Sequence, residues 1–435
     1  MIDTAVVRAT PRQQVARVIG VFSGPWDTGR AAKDGAVIGF EDLFRAFSAA
    51  ADAGEVELNT AEIGIFRDHR RIRDFLAGCD AVYANCGPWA ALLYLVRERE
   101  GLDVQIIREV RTVGWVGYIW QEEVAGPLAR PGDQRVFPSC YARDVWDAAA
   151  PGVSESRVYY PIIRNAAAPA APLAPPASGT VGFFSVLSRD KGFACLPGVI
   201  ARMLAGGHPI ERLVLAGEQA DPALYTRVVS ELADMGIDVS FRGGLPNPEV
   251  RQLMATCDCV FFLSVSSIES LGRVMIEASE QGVPVITADF GAARDLVHPD
   301  YRIPVTYLPG VSGPCDSAFA LAQLDISQWQ PPARLAAPDC FEQSVAEYRA
   351  EGHTAADLLY TGHAQPAAQI RPVTFSFGCD VDGLSLAQRL LADPALLQEA
   401  PDHQLLDLGG TLKQYLLANG YNPQVSFTPE LPTLV

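Results

Sequence analysis

The sequence predicts an α/β protein of two Rossmann-like domains, each a parallel sheet flanked by helices, and three observations carry that prediction. Apolar runs of strand length, among them Val104–Ile107 and Leu213–Ala216, recur in both halves of the chain and alternate with segments of helical length. Runs of this kind suit strands buried on both faces of a parallel sheet. The stretch from Arg164 to Gly179, RNAAAPAAPLAPPASG, has no periodicity and reads as a Pro/Ala linker at 165–179, between an N-terminal domain at 1–164 and a second at 180–340. The 435 residues are enough for two or three domains with large cores.

The first domain opens on an apolar strand, Val15–Phe22, followed by the glycine-rich loop SGPWDTGRAAKDGAVIGF and an amphipathic helix from about Phe40 to Ala53. Strand, glycine-rich loop and helix make a Rossmann-like opening, although the spacing is not the GxGxxG of dinucleotide sites. Glu55–Leu58 is the next strand. Asp80–Asn85 is another, ending at Cys86-Gly87-Pro88, and Trp89–Glu100 is a helix ahead of the strand Val104–Ile107. Val136–Pro138 reads as a further strand, with Ser139 as N-cap of a helix through Trp146, because a serine hydroxyl accepts from the unpaired N–H groups of a first turn. Arg67, Arg70, Arg71 and Arg73 read as a solvated helix face, with a docking patch for an anionic acceptor or lipid head group as the alternative.

The second domain starts with the strand Val181–Leu187 and the segment Ser188-Arg189-Asp190-Lys191-Gly192. Leu213–Ala216 ends at Gly217-Glu218, and Val239–Arg242 leads into Gly243-Gly244-Leu245-Pro246. The chain is organised around residues 257–297. There Val260–Leu263 is a buried strand, Ser264–Leu271 a polar loop ending on Gly272, Val274 to Ala278 the apolar face of a helix that stops at Gly282, and Val283–Thr287 a second buried strand. Chemistry belongs at the first strand's carboxyl end. Glu269 and Glu277 bracket the helix start; side chains lean toward a helix N-terminus, so Glu277 can return to the opening that Glu269 borders. Backbone N–H groups from Leu271 to Val274 point into that opening, and a helix start favours an anion by roughly 0.3–2 kcal/mol. A phosphate flanked by two carboxylates suggests a nucleotide sugar. Beyond it, Gly291, Ala292 and Arg294 lead to a strand near Ile303–Val305.

Glu269-x7-Glu277, followed by Ala278 and by Gly282-Val-Pro-Val-Ile, resembles the donor-site signature of family 4-type retaining glycosyltransferases with the GT-B fold. The resemblance implies two domains facing across a cleft, a C-terminal helix crossing back at 341–360 and a small extension at 361–435. Relatives read Gly-Arg-Leu-x-x-x-Lys-Gly where this chain has Ser185, Val186 and Leu187 ahead of Lys191 and Gly192. Lys191 is thereby implied as a point charge for the donor diphosphate, with Arg189 or Arg273 as the second cation in place of the arginine that Val186 replaces. Glu269 would hold sugar hydroxyls and Glu277 ribose hydroxyls. Leu271, Gly272 and Val274 would supply helix-start amides, and Gly217, Gly244 and Leu245 would line the donor. The base is read mainly by backbone groups, which leaves UDP and GDP open with UDP slightly favoured. Gly35 and Gly39 of the first loop would approach the donor from the opposite domain. Asn85, Arg111, Trp115 and Tyr118 are the acceptor-side candidates, with Cys86, Arg108 and Thr112 nearby; aromatic rings there can stack on a sugar or simply pack. Many relatives place a histidine in these loops, and here residues 1–164 have only His69.

The implied reaction is metal-independent transfer, with retention, of a hexose-type sugar from a nucleotide diphosphate donor. The acceptor, whether glycan, lipid, natural product or protein, is not legible. No cofactor is implied, since the nucleotide sugar is the substrate. The alternative is a noncatalytic GT-B protein that binds a nucleotide sugar or a partner transferase, motivated by Val186 and the missing histidine.

Net charge is −17, most of it in the second half: residues 1–165 hold nineteen Lys and Arg against twenty-two Asp and Glu, the remainder fifteen against twenty-nine. That balance argues against nucleic acid or a strongly anionic membrane as main partner. No run approaches the eighteen or so apolar residues of a membrane span, and MIDTAVVRATPRQQ lacks a signal-peptide core, so the expected location is cytoplasmic. Nine unevenly spaced cysteines form neither a disulfide framework nor a zinc set. Asp380-Val381-Asp382 matches a metal-binding DxD in letters but not in strand context, so no metal site is expected. The extension at 361–435, with helices near Leu384–Leu391 and Thr411–Asn419, is open to a homo-oligomer contact, acceptor shaping or domain cladding.

Overall fold

Two six-stranded sheets organise the chain, and every strand pairing within them is parallel. The computed structural model describes residues 17–23, 35–67, 69–86, 90–111, 125–126, 128–149, 155–158, 179–266, 269–307 and 322–335. The first sheet contains β1 (Arg17–Ser23), β2 (Val56–Glu62), β3 (Ala81–Ala84), β4 (Gln105–Glu109), β5 (Gln134–Phe137) and β6 (Glu155–Val158) in the order β2-β1-β3-β4-β5-β6. Helices α1 (Gly35–Asp52), α2 (His69–Ala77), α3 (Ala90–Glu100) and α4 (Cys140–Ala149) connect or follow them. The second sheet has the order β12-β11-β10-β7-β8-β9, from β7 (Thr180–Phe184), β8 (Arg212–Ala216), β9 (Asp238–Phe241), β10 (Cys259–Phe262), β11 (Val285–Ala288) and β12 (Arg302–Ile303). Its helices are α5 (Leu196–Ala205), α6 (Pro222–Asp234), α7 (Asn247–Met254), α8 (Arg273–Glu280) and α9 (Ala293–Leu296), and β13 (Val305–Tyr307) pairs antiparallel with β14 (Ala322–Leu324) beyond it.

The strand sequences explain the layers. β3 (AVYA) and β10 (CVFF) have all four residues buried, as strands covered on both faces must, whereas the edge strand β2 (VELNTAE) buries only Val56 and exposes Glu57, Thr60 and Glu62. In each sheet the strand order turns at one place, between β1 and β3 in the first and between β7 and β10 in the second. Crossovers leave those neighbours in opposite directions, so the loops at their carboxyl ends diverge around a crevice.

Side-chain caps fix two of the helix starts. The Ser139 hydroxyl accepts from the Ala142 N–H at 3.0 Å and caps α4, as its position predicts, and Asp221 does the same for Leu224 at the head of α6. The first helix differs from expectation. It begins at Gly35, not near Phe40, so Gly35 opens a helix and Gly39 lies buried inside it, not in a loop. Each glycine costs a helix about 1 kcal/mol relative to alanine, and burial of Leu43, Phe47 and Ala50 along one face of α1 outweighs that cost. The strand β6 and the helix α2, whose basic face the arginine cluster suggested, complete the first unit. The linker from 165 to 178, the crossover helix expected at Phe341–Tyr360 and the 361–435 extension lie outside the described residues.

Gly192, after β7, shows how closely the two crevice loops approach. Its φ is 74°, and a Cβ there would run into the carbonyl oxygen and Cβ of Leu263, which follows β10. A left-handed non-glycine residue costs about 1–3 kcal/mol before any clash. Gly192→Ala should therefore lower the stability of the protein by at least that much in urea unfolding followed by circular dichroism; an unchanged midpoint would mean that the two loops do not meet in this way.

Candidate active site

Four loops at the carboxyl end of the second sheet are stitched together by backbone hydrogen bonds. The loop after β7 is held by Leu187 N–H to the Glu218 carbonyl at 2.8 Å and by Val265 N–H to the Asp190 carbonyl at 2.9 Å, and Gly217 N–H donates to the Gly243 carbonyl at 2.9 Å. A Cβ on Gly217 would overlap the Ser185 carbonyl, so this glycine is required for the approach of β8's loop to β7's. Inside the first loop the Ser188 hydroxyl donates to Asp190 at 2.6 Å, a local bond that shapes the turn presenting Lys191.

Lys191 and Glu269, one from each side of the switch between β7 and β10, meet at 2.7 Å. Glu269 Oε2 also accepts from the Ser264 hydroxyl at 3.2 Å, and Oε1 accepts from the Gly272 N–H at 3.1 Å. The amide that opens α8 is therefore satisfied by Glu269 itself and is not free for a ligand. Gly272 occupies the left-handed region at φ 75°, and a Cβ there would strike the Phe262 ring and the Met275 methyl at 2.6 and 2.7 Å. Burial works against the Glu269 carboxylate, but the Lys191 ammonium and the hydrogen bonds from Lys191, Ser264 and Gly272 outweigh it and hold the carboxyl below its ordinary range. Burial likewise lowers the Lys191 pKa, yet Glu269 more than compensates and the ammonium titrates above its usual value. Lys191 has three N–H donors and Glu269 is its one recorded partner among the described residues, which leaves two donors for a ligand.

Glu277, on the second turn of α8, is buried and differently served. Asn247 donates to Oε1 at 2.9 Å and Arg273 to the same oxygen at 3.3 Å, while Oε2 has no recorded partner among the described residues. Burial raises this carboxyl's pKa, and the cation of Arg273 and the Asn247 amide offset only part of the shift. Arg273 thus lies against Glu277. Arg189 is exposed, and Val186, where relatives carry arginine, is also exposed at 38%. Gly244 and Leu245 sit half-buried in the turn after β9, Leu245 against the domain core, while Leu271 is buried and Val274 half-buried at the start of α8.

The first-domain candidates divide. Asn85, 3% exposed, uses both ends of its amide on the Phe22 backbone at 3.1 Å each and so ties the end of β3 to β1. Arg111 pairs with Glu109 at 2.6 Å. Burial pushes the Cys86 thiol well above its ordinary pKa, which makes it an inert core group. Thr112, Trp115 and Tyr118 lie outside the described residues, as do Asp380 and Asp382. Sequence reasoning missed Ser264 and Asn247. Ser264 sits two residues past β10, where the carboxyl-end rule could have found it. Nothing in the sequence marks Asn247, on another helix thirty residues earlier, as facing Glu277.

Residues 169–314 match the family described as glycosyl transferases group 1. Among solved structures, the chain is similar to HepE of Anabaena in complex with UDP-glucose, at 15% identity and a TM-score of 0.47 over 92% of this chain and 100% of that one. It is also similar to a glycosyltransferase from Rickettsia africae, at 10% and 0.47 over 94% and 100%. AviGT4, a glycosyltransferase involved in avilamycin A biosynthesis, is similar at 15% and 0.44 over 78% and 99%. These likenesses are too distant to transfer residues or substrates. No curated protein matches. The matched residues take in the second sheet and the Lys191–Glu269 contact. No described helix is long and apolar enough to cross a membrane.

The signs of the two pKa shifts set a pH test of the Lys191–Glu269 pair. A lowered carboxyl stabilises above its unfolded-state pKa, and that stability is lost as pH falls through the folded value; a raised ammonium stabilises below its unfolded value and loses that contribution as pH rises through the folded one. Lys191→Met should lower Tm by about 2–4 °C near neutrality, equivalent to about 1 kcal/mol for a partly exposed pair. The gap should close in acid as Glu269 protonates, and a gap that persists unchanged into acid would show that Lys191 acts by packing alone.

Proposed function

We propose that this glycosyltransferase moves a hexose-type sugar from a nucleotide diphosphate donor, UDP slightly ahead of GDP, to an acceptor, with retention and without a metal ion. The observation that carries the reading is the Lys191–Glu269 contact of 2.7 Å at the switch point of the second sheet. An ammonium with donors to spare, beside a carboxylate held ionised, offers one handle for a phosphate and one for sugar hydroxyls. A sugar linked to a diphosphate presents those two groups within a few bonds of each other.

In this reading Lys191 and the remaining helix-start N–H groups at Arg273 and Val274 neutralise charge on the leaving diphosphate, the task fixed electrostatics perform without reorganisation. Glu269 orients the sugar. Glu277 accepts from the ribose hydroxyls through Oε2, while Asn247 and Arg273 hold Oε1 in place. The bond from the anomeric carbon to the diphosphate breaks as the bond to the acceptor oxygen forms on the same face, and the acceptor's proton passes to the leaving diphosphate. Closure of the cleft between the domains excludes water that would otherwise hydrolyse the donor.

Two measurements test this. Glu277→Gln should weaken the nucleotide sugar and the free nucleoside diphosphate alike, whereas Glu269→Gln should leave nucleoside diphosphate affinity nearly unchanged and lower turnover. Equal loss of nucleoside diphosphate binding in both variants would displace the sugar from Glu269. Transfer should also persist in excess EDTA; complete loss restored by magnesium or manganese would overturn the metal-free step.

A further inference from the structure

The residue beside Glu269 is held from the other domain. Ser270, 6% exposed, donates its hydroxyl proton to the carbonyl of Arg111 at the end of β4, and its own carbonyl accepts from the Ser139 hydroxyl at the head of α4. Ser139 is fully buried, and its oxygen already accepts from the Ala142 N–H. A hydroxyl has a single proton to give, so capping α4 fixes the oxygen and leaves that proton for Ser270. A second contact lies alongside. The Tyr141 N–H, also in α4's first turn, donates to Asp295 of α9 at 3.0 Å, and the Tyr141 ring packs on Phe290. The start of α4 is thus where the second domain docks, and Ser270 is where the docking reaches the candidate active site.

We propose that Ser270 and Ser139 are positioning residues: their hydrogen bonds across the domain boundary hold residues 269–272 so that Glu269 stays against Lys191 and the Gly272 N–H. The proposal rests on the assignment of Glu269 to the sugar. Simple domain adhesion would be served by bonds anywhere on the interface. Here two bonds converge on one residue, next in sequence to the carboxylate and two before the amide that carboxylate accepts. A change in the angle between the domains therefore moves the anchor of Glu269, while Glu277, held by Asn247 and Arg273 within the second domain, stays where it is. The opening of the cleft would be felt by the transferred sugar and not by the nucleotide.

The test has one arm that needs no substrate. Hydrogen–deuterium exchange of the ligand-free protein should be about two- to tenfold faster across residues 269–275 in Ser270→Ala and in Ser139→Ala, the range expected for one lost neutral hydrogen bond. Ser270→Thr, which keeps the hydroxyl, should exchange like the parent. Ser270→Ala leaves the α4 cap intact and so separates the contact from a local loss of helix stability. Unchanged exchange in both alanine variants overturns the proposal. In the second arm kcat should fall by a similar factor while nucleoside diphosphate Kd stays within about twofold; parallel loss of both would make Ser270 a general prop of the domain and overturn the positioning role. If the parent protein neither transfers sugar nor binds a nucleoside diphosphate, the proposed function fails, and the exchange arm alone still decides whether Ser139 and Ser270 hold the loop.

Discussion

Parallel pairing of β7 with β10 is the constraint on which the candidate site depends. These strands are distant in sequence but register Cys259 with Val181 and Phe261 with Phe183, so their carboxyl ends finish side by side. Two loops then start from one edge with little room between them. The missing Cβ of Gly192, the backbone bond from Val265 to Asp190 and the contact of Lys191 with Glu269 all follow from that proximity. Had β10 paired elsewhere, the ammonium and the carboxylate would belong to separate surfaces.

The two glutamates show how position divides a motif that looks symmetrical. Glu269, in the loop, is surrounded by donors and held ionised despite burial, whereas Glu277, inside the helix, has its partners among the described residues on Oε1 and has its pKa raised. The balance between desolvation and nearby charge, not residue type, separates them. Such a difference is what assignment of one group to sugar and the other to ribose requires, since each must meet hydroxyls in a different electrostatic setting.

Arginine plays a structural part in the first domain that net charge conceals. Arg97, Arg108 and Arg135 are among its largest fully buried side chains. Arg97 donates to Asp133 at 2.8 Å and to the carbonyls of Leu128 and Val104, and Asp133 in turn accepts from the Ile106 N–H, so one buried pair ties α3 to the strands β4 and β5. Buried pairs of this kind repay desolvation only when every donor is used, and they add specificity more than stability. The Arg97 charge is thus balanced by Asp133 inside the domain.

Alternating apolar runs and glycine and proline punctuation were enough to specify an α/β chain with two parallel-sheet units, the succession of most strands along the chain and the cap at Ser139. These are local properties, determined by burial periodicity and by what a few neighbouring residues can satisfy. Tertiary structure decided the rest. Gly35 and Gly39 lie in a helix because Leu43 and Phe47 find a core, which the sequence of the loop does not reveal. Asn85, expected at the acceptor, spends its amide on Phe22, sixty-three residues away. Glu269 uses the very amide that had been expected to bind an anion, and Asn247, Ser139 and Ser270 gain their importance from partners on other elements. A side chain's type limits the bonds it can make, but which of them it makes depends on what the fold brings within about 3 Å, and that is a long-range property.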